Sequence, residues 1–363
     1  MPLRFTALEY LLARLNLLPT PLFDVPLSAG ISTALYTACK LGLFDSLRTR
    51  GQTVSELADR LQCHPQGLLY LLQLLVSSGY LRQHKGRYYN TRISQRWLVS
   101  SSRQNLIPYI LHGPDLANIW AHLDEIIHTN QAAMKTPYEE STTTAESRQL
   151  LERHYAGLAA LASMIGPEIL RRVPLPQPAT RLLDVGGSHA AYSALFCRAY
   201  AGLHATVIDL EAGVEAGTHT VQRLGLEQRI QFMCCDIVSD DFPEHFSEPF
   251  DVALYFNIAH LLQPEDNQAV LHKVAHTLRP GGLLILVDQL SDQRQRSRLS
   301  TLTTQLMQLS VTIIGGTCHP FSDVRYWLER AGMEQIRKHE MLTPGTCFVT
   351  ARKRNETKKR SGD

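Results

Sequence analysis

The sequence predicts an α/β protein with a largely parallel, helix-flanked sheet in its C-terminal half, preceded by a helical region that closes in a small hairpin. Three observations carry this prediction. From Ala179 onward, short apolar runs alternate with stretches of helical period, as βα units do. One of these runs, Leu182-Leu183-Asp184-Val185, ends in Gly186-Gly187 and opens a helix near Ala191. Before Trp97, two helical patterns are followed by two alternating segments around Gly86, the order of a winged helix.

Met1 to Leu18 is apolar but carries Arg4, Glu9 and Arg14 at helical spacing, so it reads as an amphipathic helix rather than a leader or membrane span. Ala29 to Leu43 has helical period, and Gly42-Leu43-Phe44-Asp45 turns the chain after it. Thr53-Val54-Ser55-Glu56 is a capping box, its helix turning Leu57, Ala58 and Leu61 inward. In the next helix, His64 to Gly79, six leucines from Leu68 to Leu75 make nearly every face apolar. Tyr80-Leu81-Arg82 and Arg87-Tyr88-Tyr89-Asn90 are the wing. A winged helix reads DNA through a basic second helix, yet Pro65 to Tyr80 holds no Lys or Arg to meet phosphate. A helix apolar all round is a buried one, which favours packing against a partner subunit over nucleic acid.

Ile110 to His128 and Ala145 to Leu170 are long periodic helices, joined by a polar linker from Thr136 to Thr144. The βα region follows. Its strands are Thr180–Val185, Ala205–Asp209, Ile230–Cys235, Phe250–Phe256, Leu283–Asp288 and Thr346–Arg352. Helices fall at Ala191–Tyr200, Glu215–Leu224, Pro264–Leu278 and Val324–Ala331. The domain division is 1–104 for the helix-and-wing part, 105–172 for the helical linker, 173–353 for the sheet and 354–363 for a basic, solvated tail.

Bulk properties narrow the class. At 44% hydrophobic and 19% charged, the chain has the composition of a soluble globular protein, and no segment is apolar enough to cross a bilayer. A formal charge of +2 argues for no polyanionic partner. Seven cysteines without a CxxC pair point to reduced thiols and a cytoplasmic location, and the pair Cys234-Cys235 reads as small buried residues of a strand.

Candidate chemistry gathers at the strand ends. The Gly186-Gly187 turn and the helix after it make a nucleotide-type crevice, without the Gly-x-Gly-x-x-Gly of dinucleotide sites. Asp184 sits beside that turn, either near a ligand's amino group or as a turn-capping aspartate. Asp209, about twenty residues beyond the glycines, ends the second strand where an acid can take both ribose hydroxyls. Asp236 ends the third strand. His260 follows the fourth, as a general base or as a packed histidine, and Asp288 ends the fifth, where it can orient that imidazole or meet substrate. His154, Tyr155 and Met164 precede the sheet, and periodicity alone reads them as core.

These residues resemble the class I S-adenosylmethionine (SAM)-dependent O-methyltransferases of the plant caffeic-acid type and their bacterial natural-product relatives. The resemblance spans nearly the whole chain. It runs through the winged-helix zone, Leu183-Asp184-Val185-Gly186-Gly187, Asp209-Leu210, Asp236, Asn257-x-x-His260, Leu278-Arg279-Pro280-Gly281-Gly282 and Gly315-Gly316. It implies a Rossmann-like methyltransferase sheet, an N-terminal dimerisation domain making a homodimer, and a helical linker that serves as a substrate lid. SAM is the implied cofactor. Gly186 and Gly187 would approach its methionine part, Asp209 its ribose, and Asp236 with Ile237 its adenine, with Asp184, Ser188, Leu210 and Asn257 completing the set. His260 matches the family's base, Asp288 an acid position of the family, and no metal is implied. The substrate, a flat aromatic or polyketide-like molecule, would meet His154, Tyr155, Met164, Met307, Gly316, Cys318 and His319.

Some positions depart from the family pattern. Thr317-Cys318-His319 stands where plant members carry an acid, Leu261 replaces an Asp after the base, and Phe256 replaces a Lys. Ser188 and Ala190 replace two glycines of Asp-x-Gly-x-Gly-x-Gly. If the second of these positions needs a positive φ, Ala190 costs about 1 kcal/mol. The leading reading is O-methyl transfer to a phenolic or enolic hydroxyl. The alternative is a methyltransferase-fold enzyme that runs a hydroxylation, decarboxylation or pericyclic step, with SAM kept or lost.

Overall fold

Residues 6–134, 144–292 and 297–355 are described by the computed structural model, and the chain divides into two units between Pro114 and Asp115. The expected linker from 136 to 143 and the tail from 356 lie outside the described residues, as do residues 1–5.

Capping and turn chemistry set the first unit. α1 (Ala7–Arg14) starts at Thr6, whose hydroxyl accepts the Glu9 N–H while Glu9 reaches back. α2 (Thr20–Lys40) begins well before Ala29, because Pro21 sits in its first turn, where a missing N–H leaves nothing unpaired. Gly42, at φ +69, opens the one-turn α3 (Leu43–Ser46). The Thr53–Glu56 box forms on α4 (Val54–Leu61), and Arg87 reaches Glu56 at 3.0 Å. After α5 (Pro65–Ser77), β1 (Leu81–His84) and β2 (Arg87–Asn90) pair antiparallel around Lys85 and Gly86, both at positive φ as a tight hairpin turn requires. α6 (Arg92–Trp97) and α7 (Ile107–Leu111) complete the unit, over a core that includes Phe44, Leu57, Leu72 and Tyr88. α5 is not buried all round within the chain. Leu68, Leu72 and Leu75 face the core, whereas Tyr70 is 62% and Leu74 37% exposed. This unit packs on one side of the helix only, so the single chain leaves the other apolar side uncovered.

The single helix expected from Ile110 to His128 is broken into α7, α8 (Gly113–Trp120) and α9 (Leu123–Thr129). Pro114 has no N–H to continue the ladder from α7, and it sits instead in the first turn of α8, where that N–H is not needed. α10 (Ala145–Arg172) then runs unbroken from the Thr144 cap.

The sheet is built from β3 (Arg181–Val185), α11 (Ala191–Ala199), β4 (His204–Asp209), α12 (Glu211–Leu224), β5 (Ile230–Cys234), β6 (Phe250–Phe256), α13 (Pro264–Thr277) and β7 (Leu278–Asp288). α14 (Arg298–Ile313), α15 (Phe321–Arg330), β8 (Met333–Glu340) and β9 (Cys347–Lys353) follow. Its order is β5-β4-β3-β6-β7-β9-β8, with β9 antiparallel to both neighbours and the rest parallel. The order reverses between β3 and β6, which opens a crevice at the carboxyl ends of those strands. Successive residues face opposite cores, Leu182, Val252 and Ile285 on one side, Leu183, Ala253 and Leu284 on the other. No described helix is long and apolar enough to cross a membrane.

The sequence reading passed over the short α6 and, in the second unit, α14 and β8. α14 is rich in Ser and Thr, which weaken helical preference. β8 is a polar edge strand interrupted by a register shift at Gln335, so its alternation is hidden. The turn after β3 answers the question about Ala190. It stands at φ +52 as the N-cap of α11, fully buried, with Ser188 also at positive φ. The left-handed backbone survives there without its glycine, and the methyl group is packed into the core.

Ala190→Gly is expected to leave stability nearly unchanged. Relief of about 1 kcal/mol of left-handed strain offsets about 0.8 kcal/mol of lost methyl burial. Ala190→Val, branched at a positive φ in a filled space, should cost at least about 2 kcal/mol. Urea unfolding of the two variants beside the parent checks both, and equal stability for all three would refute the strain.

Candidate active site

The site grows from the crowded carboxyl edge of the sheet. Gly186 leaves β3 with φ +66 and donates its N–H to Ile208 O at 2.8 Å, and a Cβ there would lie 2.3 Å from the Ile258 side chain. A Cβ on Gly187 would strike the Asp184 carboxyl at 2.5 Å. Asp184 is therefore placed beneath the turn. It is 1% exposed, accepts the Ser193 hydroxyl at 2.7 Å, and burial pushes its pKa up to about 7. Its visible bond is to α11, the arrangement of a turn-holding aspartate.

Asp209 reaches the same turn from β4. Its Oδ2 accepts the Ser188 N–H at 2.9 Å and its Oδ1 the Leu210 N–H at 2.8 Å, while burial raises its pKa to about 6. α12 lies close by because two glycines let it. A Cβ on Gly213 would sit 2.2 Å from Asp209 Oδ1, and one on Gly217 2.2 Å from Ser188 O. Sequence reasoning missed this pair, although glycines four residues apart on a helix mark one close-approach face. Leu210 stays 42% exposed at this strand end.

After β5, Asp236 Oδ1 accepts the Val238 N–H at 2.9 Å, and Ile237 packs partly into the sheet's second core. After β6, Asn257 adopts φ +57, donates its N–H to Val287 O at 2.8 Å, and meets the Tyr192 hydroxyl with its side chain. The Tyr192 ring stands edge-on to Phe256 at 4.7 Å. Tyr192 was also missed, because from its sequence position it is one more apolar residue of α11.

His260 and Asp288 are brought together. Parallel pairing of β6 with β7, through Phe256 opposite Val287, puts the turn after one strand beside the end of the other. His260 Nδ1 lies 2.7 Å from Asp288 Oδ1, and the His260 main-chain N–H donates to Asp288 Oδ2 at 3.2 Å. Gln289 N–H adds a third bond to this carboxylate at 2.8 Å. Both partners are buried, so the pair forms in a low-dielectric setting.

The turn that carries His260 is gripped by its main-chain carbonyls. Asn267, fully buried on α13, donates from Nδ2 to Ala259 O at 2.9 Å and Leu262 O at 3.0 Å, and accepts the Tyr255 hydroxyl at 2.9 Å. His319 places Nε2 3.1 Å from Ala259 O and 3.0 Å from Leu262 O, with its ring edge-on to Trp327. Expected to meet substrate, His319 instead commits this nitrogen to the turn. Thr317 N–H donates to His260 O at 2.9 Å, and a Cβ on Gly316 would sit 2.2 Å from the same oxygen.

Cys318 is buried, its N–H bonded to Gln308 Oε1 at 3.0 Å and its thiol pushed up to about 12 by burial and then by Asp288, so it is no nucleophile at neutral pH. Met307 lies half-buried on α14 beside Ser310. On α10, the His154 and Tyr155 rings meet edge to face at 5.8 Å, and Met164 packs against the sheet's first core.

Known proteins share this architecture. The O-methyltransferase dimerisation domain matches residues 24–100, and the O-methyltransferase domain matches residues 120–334. A 3-hydroxy-5-methyl-1-naphthoate 3-O-methyltransferase of Streptomyces sahachiroi is 24% identical, over 92% of this chain and 94% of its own. The tetracenomycin polyketide synthesis 8-O-methyl transferase TcmO of Streptomyces glaucescens is 25% identical, over 88% and 92%. Human N-acetylserotonin methyltransferase, solved in complex with SAM, superposes with a TM-score of 0.77 at 21% identity, over 93% of this chain and 97% of that one, a likeness of fold. With both domain matches in place, the chain belongs to the O-methyltransferase family and is a SAM-dependent methyltransferase.

Proposed function

We propose that the chain moves the methyl group of SAM to a phenolic or enolic hydroxyl of a small aromatic or polyketide-like natural product, with His260 as general base. The observation that carries this reading is the buried His260–Asp288 pair at the sheet edge that also bears the glycine turn.

The edge fits the cofactor. Gly186 and Gly187 carry no side chain to collide with Ile258 and Asp184, so the chain turns tightly at the strand end where the methionine part would lie. Each oxygen of Asp209 accepts one amide N–H and keeps a lone pair for a ribose hydroxyl. Leu210 and Val238, at neighbouring strand ends, are large apolar side chains left 42% and 37% exposed, as a flat base would cover. Asp236 and Ile237 complete that adenine wall, with Ser188 and Asn257 nearer the turn. Bound there, SAM supplies a methyl group already activated by a positive sulfur.

The protein's own work is positional and proton-handling. Asp288 holds Nδ1 of His260, which leaves Nε2 to take the proton of the acceptor hydroxyl as the oxygen attacks. The carboxylate then balances the imidazolium that forms. Burial of the pair keeps bulk water from competing for that proton. Met307, Tyr155 and His154 supply apolar and polar edges for the acceptor.

We also read the N-terminal unit as a homodimer interface. A dimerisation domain matches it, and Leu11, Leu15, Leu22, Phe23, Tyr70 and Leu74 are exposed in the single chain. Seven cysteines without a CxxC pair fit a reducing cytoplasm.

His260→Ala should lower kcat by about 10²- to 10⁴-fold, and Asp288→Asn by less, with S-adenosylhomocysteine affinity unchanged in both. Calorimetry and a mass-shift screen of phenolic acceptors test this. Unaltered turnover in His260→Ala would remove the base, and a product without added methyl would favour the non-methylating reading. S-adenosylhomocysteine affinity should be greatest above pH 6 and weaken as pH falls through about 6, where the raised Asp209 carboxyl takes up its proton. In Asp209→Asn that dependence should flatten, and a parent profile flat from pH 5 to pH 8 would contradict the ribose assignment. Tyr70→Arg with Leu74→Arg should shift sedimentation from dimer toward monomer, and an unchanged dimer would place the interface elsewhere.

A further inference from the structure

Between β5 and β6 the chain turns through Asp236 to Asp240. Asp240 N–H closes the turn on Asp236 O at 2.9 Å, and Asp236 N–H donates to Asp240 Oδ2 at 2.9 Å. The carbonyl oxygens of Ile237, Val238 and Asp240 converge on one point. There sits the Lys273 ammonium, extended from α13, at 3.1, 2.8 and 2.7 Å. An ammonium has three N–H donors and no acceptor, so three converging carbonyls use all of it. It also lies 5.8 Å from the centroid of the buried Phe242 ring.

A planar trans peptide points its N–H opposite to its carbonyl. Fixing Ile237 O on Lys273 therefore fixes the direction of Val238 N–H. That N–H is the donor to Asp236 Oδ1 at 2.9 Å. One cation on α13 thus aims the carboxylate at the end of β5 through a single peptide plane. The same helix carries Asn267, which grips the His260 turn.

We propose that Lys273 is a positioning residue for the cofactor, holding the loop Asp236–Asp240 in the shape that receives adenine while touching no ligand itself. This rests on reading Asp236 and Ile237 as the adenine wall. Without the ammonium, three carbonyls turn to solvent and the loop samples other shapes. Each excursion lowers apparent affinity by the fraction of time spent away.

The test uses the full chain, Lys273→Met to remove the charge, and Lys273→Arg to keep it. In calorimetry, Lys273→Met should bind S-adenosylhomocysteine and adenosine about tenfold more weakly, as when the loop holds its shape about a tenth of the time. Hydrogen exchange should quicken at 236–240 and stay unchanged at 186–190, and Lys273→Arg should recover most of the affinity. If the Met variant is unstable, Lys273→Gln repeats the measurements. Affinity within about twofold of the parent, or exchange quickened equally in both segments, overturns the proposal. A parent chain that does not bind S-adenosylhomocysteine overturns the adenine-wall reading beneath it.

Discussion

The buried contact between His260 Nδ1 and Asp288 is the interaction around which the carboxyl edge of the sheet is organised. A carboxylate and an imidazole this deep are tolerable only if each meets a partner, since an unpaired charge in such a place is very costly. The sheet supplies that pairing by topology. β6 and β7 run parallel in register, so the residues just past their ends are neighbours although 28 positions apart. Two further main-chain N–H groups, from His260 itself and from Gln289, hold the carboxylate in place. The acid is thus fixed by the backbone, and the imidazole by the acid.

Around that contact, the protein grips main chain more than side chains. Asn267 and His319 hold carbonyls of the His260 turn, Thr317 holds another, and Lys273 holds three in the neighbouring loop. Carbonyls in irregular turns have no ladder to join, and each must find a donor. At this edge the donors are polar side chains of α13 and of the loop after Gly316, together with the main-chain N–H of Thr317. Glycines make the complementary allowance, by letting α12 and that loop approach with nothing between the backbones.

The glycine turn shows how far such support tolerates substitution. Ala190 holds a left-handed conformation at a cost on the order of 1 kcal/mol, and the packing of its methyl returns a similar amount. Ser188, small and also at positive φ, gives its N–H to Asp209. A loop that departs from the family's glycine pattern therefore still meets Asp209 and opens α11.

Local pattern by itself determined the βα alternation, the capping box at Thr53, the wing around Gly86 and the strand-end placement of Asp184, Asp209, Asp236, His260 and Asp288. These follow from periodicity and turn chemistry, which act over a few residues. The same reasoning ran one helix through Gly113-Pro114, and it overlooked α14 and β8, where weak propensity and an edge position blur the period. Tertiary structure alone decided that Asp184 lies beneath the turn and that His319 braces the His260 turn. It also decided that Tyr192 meets Asn257 and that Lys273 closes on three carbonyls. Each of these is a contact between segments distant in the chain, set by how strands pair and helices lie across them, and no local run of residues records such a distance.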